Sequence, residues 1–253
     1  MSPQWIDLEG ANNVRDLGGL RAGGRLTRTG VLLRSDALNE LTAGDVRHLV
    51  DERGLAHVVD LRSAHERIER GRGPLGDTPV RYTEVEVIGP DDLARRAEAR
   101  AAAFAAGLAP ERVLGDGYVE LLELGGDAFT AAFRRILEPG GAPALVHCAI
   151  GKDRTGVLVA LLLDVAGVDR DEIVADYART GERMAPVIAR WMDAGVGTTI
   201  DEQVAAFSAM AAPATMEQVL DVLADRWGGA AGFFAAHGVG AADLDRWRSM
   251  LVG

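Results

Sequence analysis

Thiols and lysines are almost absent from this chain. Its 253 residues include one cysteine, Cys148, and one lysine, Lys152, and every other basic residue is arginine. A single cysteine excludes an intrachain disulfide and a four-thiolate metal site. The five histidines show no metal-ligand spacing, so we assign no metal and expect no cofactor. The two rare residues lie close together, which suggests that they share one site.

Basic residues are also outnumbered by acidic ones. The formal net charge is −11, with 27 basic and 38 acidic side chains. This balance disfavours nucleic-acid binding, because neutralisation of phosphates supplies most of that affinity. An anionic substrate would have to be captured by a local cationic site that works against the overall field.

Long hydrophobic runs are missing as well. The longest, Val157 to Leu163, is too short to span a bilayer. The N-terminus has neither a basic nor an apolar segment typical of a secretory signal. We therefore expect a soluble, cytoplasmic protein with no stable membrane insertion.

The patterns that are present predict one α/β domain over 1–253. Short β-type runs alternate with helical patterns, which indicates a central, part-parallel sheet flanked by helices. The last third of the chain is predicted to be helical. Thr42 with Asp45 and Ser63 with Glu66 have the spacing of a capping box, which predicts a helix start at each pair. Strands are predicted near 31–33, 58–59, 82–88 and 145–146, and helices over 42–52, 63–70, 127–138, 155–166, 169–180, 182–194, from about 201, 215–227 and 241–251.

The segment 91–106 is rich in alanine and arginine and weakly amphipathic. A surface helix is the slightly favoured interpretation. The alternative is a lid near 89–115 that moves over the functional site.

The segment around the rare residues is a buried strand, a tight polar turn and an apolar helix. The turn covers Cys148, Ala149, Ile150, Gly151, Lys152, Asp153 and Arg154, and the helix is predicted to open at Thr155. A strand that delivers a loop to a helix N-terminus builds an anion site from loop amides and the positive helix end. We expect all seven turn residues to contact a bound phosphate.

The residue types in this loop fit nucleophilic chemistry. A thiol must lose its proton to attack, and helix dipole, loop amides and a nearby cation favour the thiolate. Arg154 can return to the sulfur and hold two phosphate oxygens in a bidentate fork, while Thr155 can donate to the sulfur. The segment does not match a Walker-type loop, because the first glycine of that motif is missing here. An inert buried cysteine would leave Lys152, Asp153 and Arg154 unexplained.

Lys152 is a separate question. Arginine occupies every other basic position, so the site would have a reason to keep an ammonium, although chance remains an alternative. A compact charge on a flexible stem can reach a second phosphate or a carboxylate.

The stretch from His147 to Gly156 resembles the active-site loop of the cysteine-based protein tyrosine phosphatases. It is most similar to the bacterial branch typified by mycobacterial protein tyrosine phosphatase B. Further matching pieces are 13–19, 34–36, 59–63 and 173–177. The resemblance spans most of the chain and is weakest over about 89–117. It implies that family's fold and a metal-free, two-step reaction through a phosphocysteine.

On this interpretation Cys148 attacks phosphorus, Arg154 and the loop amides hold the phosphate oxygens, and His147 braces the loop. The sequence leaves the identity of the general acid open. Asp153 ranks first because the resemblance favours it, and Asp60 ranks second because it ends a strand. Asp116 ranks third, since a Gly-Asp-Gly turn is the more economical explanation of its context.

Other polar groups have weaker claims. Asn13, Arg15 and Asp16 are interpreted mainly as a structural turn around the loop. The arginines at 62, 67, 70 and 72 could line the entrance, but arginines on a solvated helix usually have no specific role. The expected substrate is a phosphotyrosine protein, with phosphoserine, phosphothreonine and phosphoinositides as alternatives. Phosphate and other oxyanions are expected inhibitors. A phosphate-binding module without turnover is the competing class.

Overall fold

The computed structural model describes residues 4–193 and 211–252, except the side chains of 191–193. Its strands are β1 (Gln4–Trp5), β2 (Arg15–Asp16), β3 (Arg21–Ala22), β4 (Arg25–Leu26), β5 (Leu32–Ser35), β6 (His57–Asp60), β7 (Arg81–Glu84) and β8 (Ala144–His147). Six of them form one sheet in the order β1-β2-β5-β8-β6-β7, and β3 and β4 form a hairpin. β5, β8, β6 and β7 are parallel, while β1 and β2 are antiparallel. The predicted part-parallel sheet is confirmed.

Helices surround this sheet and dominate the C-terminal part. They are α1 (Ala43–Arg47, continued by a π-helical turn His48–Glu52), α2 (Ala64–Arg70), α3 (Pro90–Ala105), α4 (Pro110–Leu137), α5 (Asp153–Val165), α6 (Arg170–Arg179), α7 (Met184–Asp193), α8 (Pro213–Trp227), α9 (Ala230–Ala236) and α10 (Ala241–Leu251). This agrees with the helical C-terminal third. The helix predicted from about 201 lies outside the described residues, and α9 was not predicted.

Two helix starts follow directly from side-chain chemistry. Thr42 accepts from the Asp45 amide, and the Asp45 carboxylate accepts from the Thr42 amide in return. Ser63 and Glu66 form the same reciprocal pair before α2. Each pair satisfies amide groups that the first turn of a helix leaves unbonded, so both predicted capping boxes are confirmed.

Three predicted boundaries are wrong. The helix expected over 127–138 begins at Pro110, and the strand expected to reach residue 88 ends at Glu84. α5 begins at Asp153 and not at Thr155. The loop's last two residues therefore belong to the first turn of the helix.

The sheet has a core on each face. Leu32, Val59 and Val146 pack into a large cluster with α4 and α5, whereas Leu33, Val58 and Leu145 pack into a smaller one on the other side. This alternation is the two-residue period of a strand buried on both faces. The register pairs His147 with both Ser35 and Asp60, so the chain leaves all three strands at one edge of the sheet.

We find no helix within 4–193 and 211–252 with the length and apolar character that crossing a bilayer requires.

Candidate active site

The predicted anion loop leaves β8 at the edge just described and enters α5. Cys148 begins it and is 1 % exposed. Gly151 has φ of 69°, and a Cβ at this position would lie 2.4 Å from the carbonyl oxygen of Ser35. The loop therefore needs glycine at 151 both for its backbone conformation and for its approach to β5.

Neighbouring residues hold the loop from outside. The Asn13 side-chain amide and Arg34 Nη2 both donate to the Gly151 carbonyl, at 3.1 and 2.8 Å. The Ala37 amide donates to the Ala149 carbonyl at 3.0 Å. Together these bonds fix the curled shape that an anion-binding nest of amides requires. The contact made by Asn13 fits the structural role predicted for it.

Behind the loop lies a buried cluster of ionised side chains. Arg15 and Arg34 both bind the Asp176 carboxylate, at 2.7 and 2.6 Å, and all three are at most 1 % exposed. Burial acts against the ionised form, but Arg15 and Arg34 hold the pKa of Asp176 below its usual value. Burial, with the charge of Arg34, lowers the pKa of Arg15 to about 10. Two cations share one anion, so the cluster leaves a net positive charge beside the loop.

Asp16 has no part in that cluster. Its carboxylate accepts from the Gly18 and Gly30 amides at 2.8 and 2.7 Å. These bonds match the structural turn predicted for this position.

Arg154 is already oriented by a carboxylate. Its Nη1 and Nη2 atoms donate to the two oxygens of Glu66 at 2.6 and 2.8 Å, and Arg154 is 7 % exposed. Glu66 also accepts from the Ser63 amide at 2.7 Å. Sequence reasoning identified Glu66 only as a capping residue. The capping box was nevertheless the available signal, because it fixes the carboxylate that fixes Arg154.

Asp153, the first-ranked acid, lies within hydrogen-bond reach of a buried phenol. Tyr118 Oη donates to Asp153 Oδ1 at 2.6 Å, and Tyr177 Oη lies 2.9 Å from Tyr118 Oη. Burial acts in the opposite direction, but the charges of Lys152 and Arg100 and the Tyr118 bond lower the pKa of Asp153 to about 2. The carboxyl is therefore ionised near neutral pH. The sequence offered no signal for either tyrosine.

Lys152 is fully buried, and its Nζ lies 3.6 Å from Asp153 Oδ1. Burial lowers its pKa, and the nearby carboxylate partly offsets that effect. Of the two partners that the sequence suggested, a second phosphate or a carboxylate, this geometry provides the carboxylate.

His147 and Asp60 belong to a second buried network. His147 Nδ1 donates to the Cys148 carbonyl at 3.0 Å, and its Nε2 lies 3.3 Å from Tyr82 Oη. Asp60 accepts from Tyr82 Oη at 2.8 Å and from Arg62 Nη2 at 2.7 Å. Burial raises the pKa of Asp60, but His147 and Arg62 lower it more. Asp60 is 0 % exposed, so this geometry favours bracing of the loop over proton transfer to a substrate.

Two further expectations fail in this structure. The Thr155 hydroxyl is buried without a hydrogen-bond partner among the described residues, so the predicted bond to the sulfur is not formed. Asp116 does not lie in a turn, because α4 continues through it, and its exposed carboxylate accepts from Gln218 at 2.7 Å. Tyr118, two positions later, is the residue of this segment that reaches the site.

The segment interpreted as a surface helix, or alternatively as a lid, is α3, which packs beside α4. Arg96 donates to Glu120 at 2.7 Å and to the Gly117 carbonyl at 2.6 Å. Arg100, also on α3, is close enough for its charge to lower the pKa values of Asp153 and Lys152. α3 therefore lies on the loop side of α4.

The sequence of this chain is similar to those of known phosphatases. The profile of the tyrosine phosphatase family matches residues 6–253. The triple specificity protein phosphatase PtpB of Mycobacterium tuberculosis is 29 % identical, over 98 % of this chain and 99 % of that protein. A tyrosine-protein phosphatase of Nostoc commune is 28 % identical, over 87 % of this chain and 73 % of that one. The crystal structure of P. aeruginosa TpbA with phosphotyrosine is 16 % identical, covers 82 % of this chain and 96 % of that one, and has a TM-score of 0.39. This chain belongs to the tyrosine phosphatase family.

Proposed function

We propose that this chain hydrolyses phosphotyrosine in proteins, with phosphoserine and phosphothreonine as further substrates, through a phosphocysteine intermediate. The observation that carries the proposal is the loop itself. It places Cys148 at the end of β8 and Arg154 in the first turn of α5, and its carbonyls are bound from outside by Asn13, Arg34 and Ala37. Such a loop suits a tetrahedral dianion held at its oxygens beside a nucleophile.

The first step breaks the bond between phosphorus and the tyrosine oxygen. The Cys148 sulfur forms the new bond, and Arg154 and the loop amides hold the three oxygens that do not react. Asp153 then has to protonate the departing phenoxide. A dianionic phosphate beside Asp153 opposes ionisation of the carboxyl and raises its pKa. In the second step water attacks the phosphorus of the phosphocysteine while the same carboxylate takes a proton from it. The bond between phosphorus and sulfur breaks, which releases phosphate and restores the Cys148 thiolate.

The proposal is tested with p-nitrophenyl phosphate and a phosphotyrosine peptide. Cys148→Ser should abolish hydrolysis of both and should retain vanadate or phosphate binding, because the loop and not the sulfur holds the anion. Wild-type activity should survive EDTA. Full activity in the serine variant, or inhibition by EDTA, would refute the mechanism. Phosphate binding without any turnover by the wild type would favour a phosphate-binding module without catalytic activity.

The remaining expectations are substrate range and location. The name of PtpB states triple specificity, which supports a panel that includes phosphoserine, phosphothreonine and phosphoinositide substrates. A cytoplasmic location stays a prediction of the sequence.

A further inference from the structure

A cleft opens beside the catalytic loop, between α2 and α7. Ala149, the residue after the candidate nucleophile, lies in its wall, and so do Arg62, Arg70 and Arg190. Glu66, which orients Arg154, lines the same cleft. A group bound in this cleft would therefore lie next to the reacting phosphate.

Two of the arginines that line the cleft each have a guanidinium nitrogen without an acceptor among the described residues. Arg62 is 1 % exposed, and two of its nitrogens bind Asp60, but its Nη1 is buried without a hydrogen-bond partner among the described residues. Arg70 Nη2, at the end of α2, is also buried without a partner there. Buried donors without acceptors are costly, and both belong to cations that line one cleft.

The acidic groups of the cleft are mostly engaged elsewhere. Glu66 binds Arg154, and Asp36 accepts from the Asn13 amide at 2.9 Å. Glu40 lies 3.4 Å from Arg190 Nε. Glu69 is the exposed exception on α2. The groups left to meet a ligand are thus chiefly the guanidinium donors, and they bind an acceptor with negative charge most strongly.

We propose that this cleft is a specificity subsite that binds an acidic side chain close to the phosphotyrosine of a protein substrate. The inference rests on the proposed function, since it places the two anions in adjacent sites. The chain carries a net charge of −11, which disfavours approach of a substrate with extra negative charge unless a local cationic group compensates. Arg70 is the residue to change first, because Arg62 is tied to Asp60 in the core of the site.

The test uses two phosphotyrosine peptides of equal length, with aspartates on both sides of the phosphotyrosine in one and asparagines in the other. For a partly exposed charged hydrogen bond we expect wild-type kcat/KM to be about five- to tenfold higher for the aspartate peptide. Arg70→Ala should bring this ratio close to one, and Arg70→Lys should retain part of it. Glu69→Gln should raise the ratio. Added salt should lower it in the wild type.

Arg72→Ala is the matched control. Arg72 lies two residues after Arg70, but it pairs with Glu84 at 2.8 Å and does not line the cleft. Its substitution should leave the ratio at the wild-type value. A wild-type ratio near one, or a ratio that survives Arg70→Ala, would overturn the subsite. If the wild type hydrolyses neither peptide, the proposed function is rejected instead. If Arg70→Ala affects only the preference for soluble phosphatidylinositol bisphosphate over monophosphate, the subsite serves a lipid and the peptide proposal is wrong.

Discussion

Tyr118 and Asp153 join the long helix α4 to the first turn of α5 through one hydrogen bond of 2.6 Å. The phenol donates to the carboxylate, so the bond stabilises the ionised form of Asp153 and contributes to its low pKa of about 2. Tyr118, which lies outside the sequence motif, thus contributes to the pKa of a residue inside it. The pKa of Asp153 consequently depends on α4 as well as on its own loop.

Tyr118→Phe should raise the pKa of Asp153, because the variant lacks the donor that favours the carboxylate. The protonated acid would then persist to higher pH. We expect the alkaline limb of kcat/KM for phosphotyrosine to move upward in pH. Tyr177→Phe is the control, since Tyr177 contacts Tyr118 and makes no hydrogen bond to Asp153. Equal profiles for wild type and Tyr118→Phe would show that this bond does not control the acid.

Asp153→Asn should slow hydrolysis of phosphotyrosine more than that of an activated aryl phosphate, because a good leaving group needs little protonation. Asp60→Asn should slow both substrates to a similar extent, since Asp60 braces the loop through His147 and Tyr82. The measurement is kcat/KM for both substrates in each variant. If the leaving-group dependence appears in Asp60→Asn and not in Asp153→Asn, the two roles are reversed.

The sequence predicted the strand, turn and helix around Cys148 and the part-parallel sheet, because both depend on local patterns. The motif from His147 to Gly156 is contiguous, and the strands that support it are short apolar runs. It could not predict Tyr118, Tyr177 or Glu66 as parts of the site, because their roles depend on contacts between distant elements. The capping box at Ser63 indicated where the Glu66 carboxylate would lie, but not that it would meet Arg154.

The error at Asp116 has a specific physical origin. Glycines on both sides suggested a turn, yet α4 continues through them. A Cβ at Gly115 would lie 2.1 Å from the Gln218 side chain, and one at Gly126 would lie 2.1 Å from His237 Nε2. The lack of a Cβ at Gly115 therefore leaves room for the Gln218 side chain, a reason that becomes visible only once the neighbouring helix is placed.

Asp176→Asn should lower the free energy of unfolding by about 3–5 kcal/mol, because it leaves the buried cations of Arg15 and Arg34 without their anion. Urea unfolding of wild type and variant measures this loss. Asp169→Asn is the matched control: its carboxylate binds Arg21 at 3.4 Å on the surface, and exposed pairs contribute about 1 kcal/mol or less. Similar losses in the two variants would contradict the central role of the buried cluster.

The pH dependence of that contribution follows from its sign. The folded-state pKa of Asp176 lies below its value in the unfolded chain, so the cluster stabilises the fold above the unfolded pKa of about 3.9. This stabilisation is lost as pH falls through the folded pKa. The stability difference between wild type and Asp176→Asn should therefore shrink in acid.

Amides of α3 should exchange hydrogen faster than those of α5. α3 is held by ion pairs such as Arg96 with Glu120 and by apolar side chains that are only partly buried, whereas α5 is buried along most of its length. Polar contacts at the surface open more readily than a packed apolar helix. Exchange measured by mass spectrometry on the intact protein checks this. Equal protection of the two helices would reject α3 as a moving lid.

A protein with one sulfhydryl can be labelled at that residue without removing any other. Cys148 begins the loop and is 1 % exposed, so its rate of reaction with a thiol-directed reagent reports how often the loop admits a small molecule. Label stoichiometry then counts competent sites, and protection by phosphate or vanadate becomes a titration of the same pocket. Such an assay needs no knowledge of the physiological substrate, and it applies to the wild type and to every variant described above that retains Cys148.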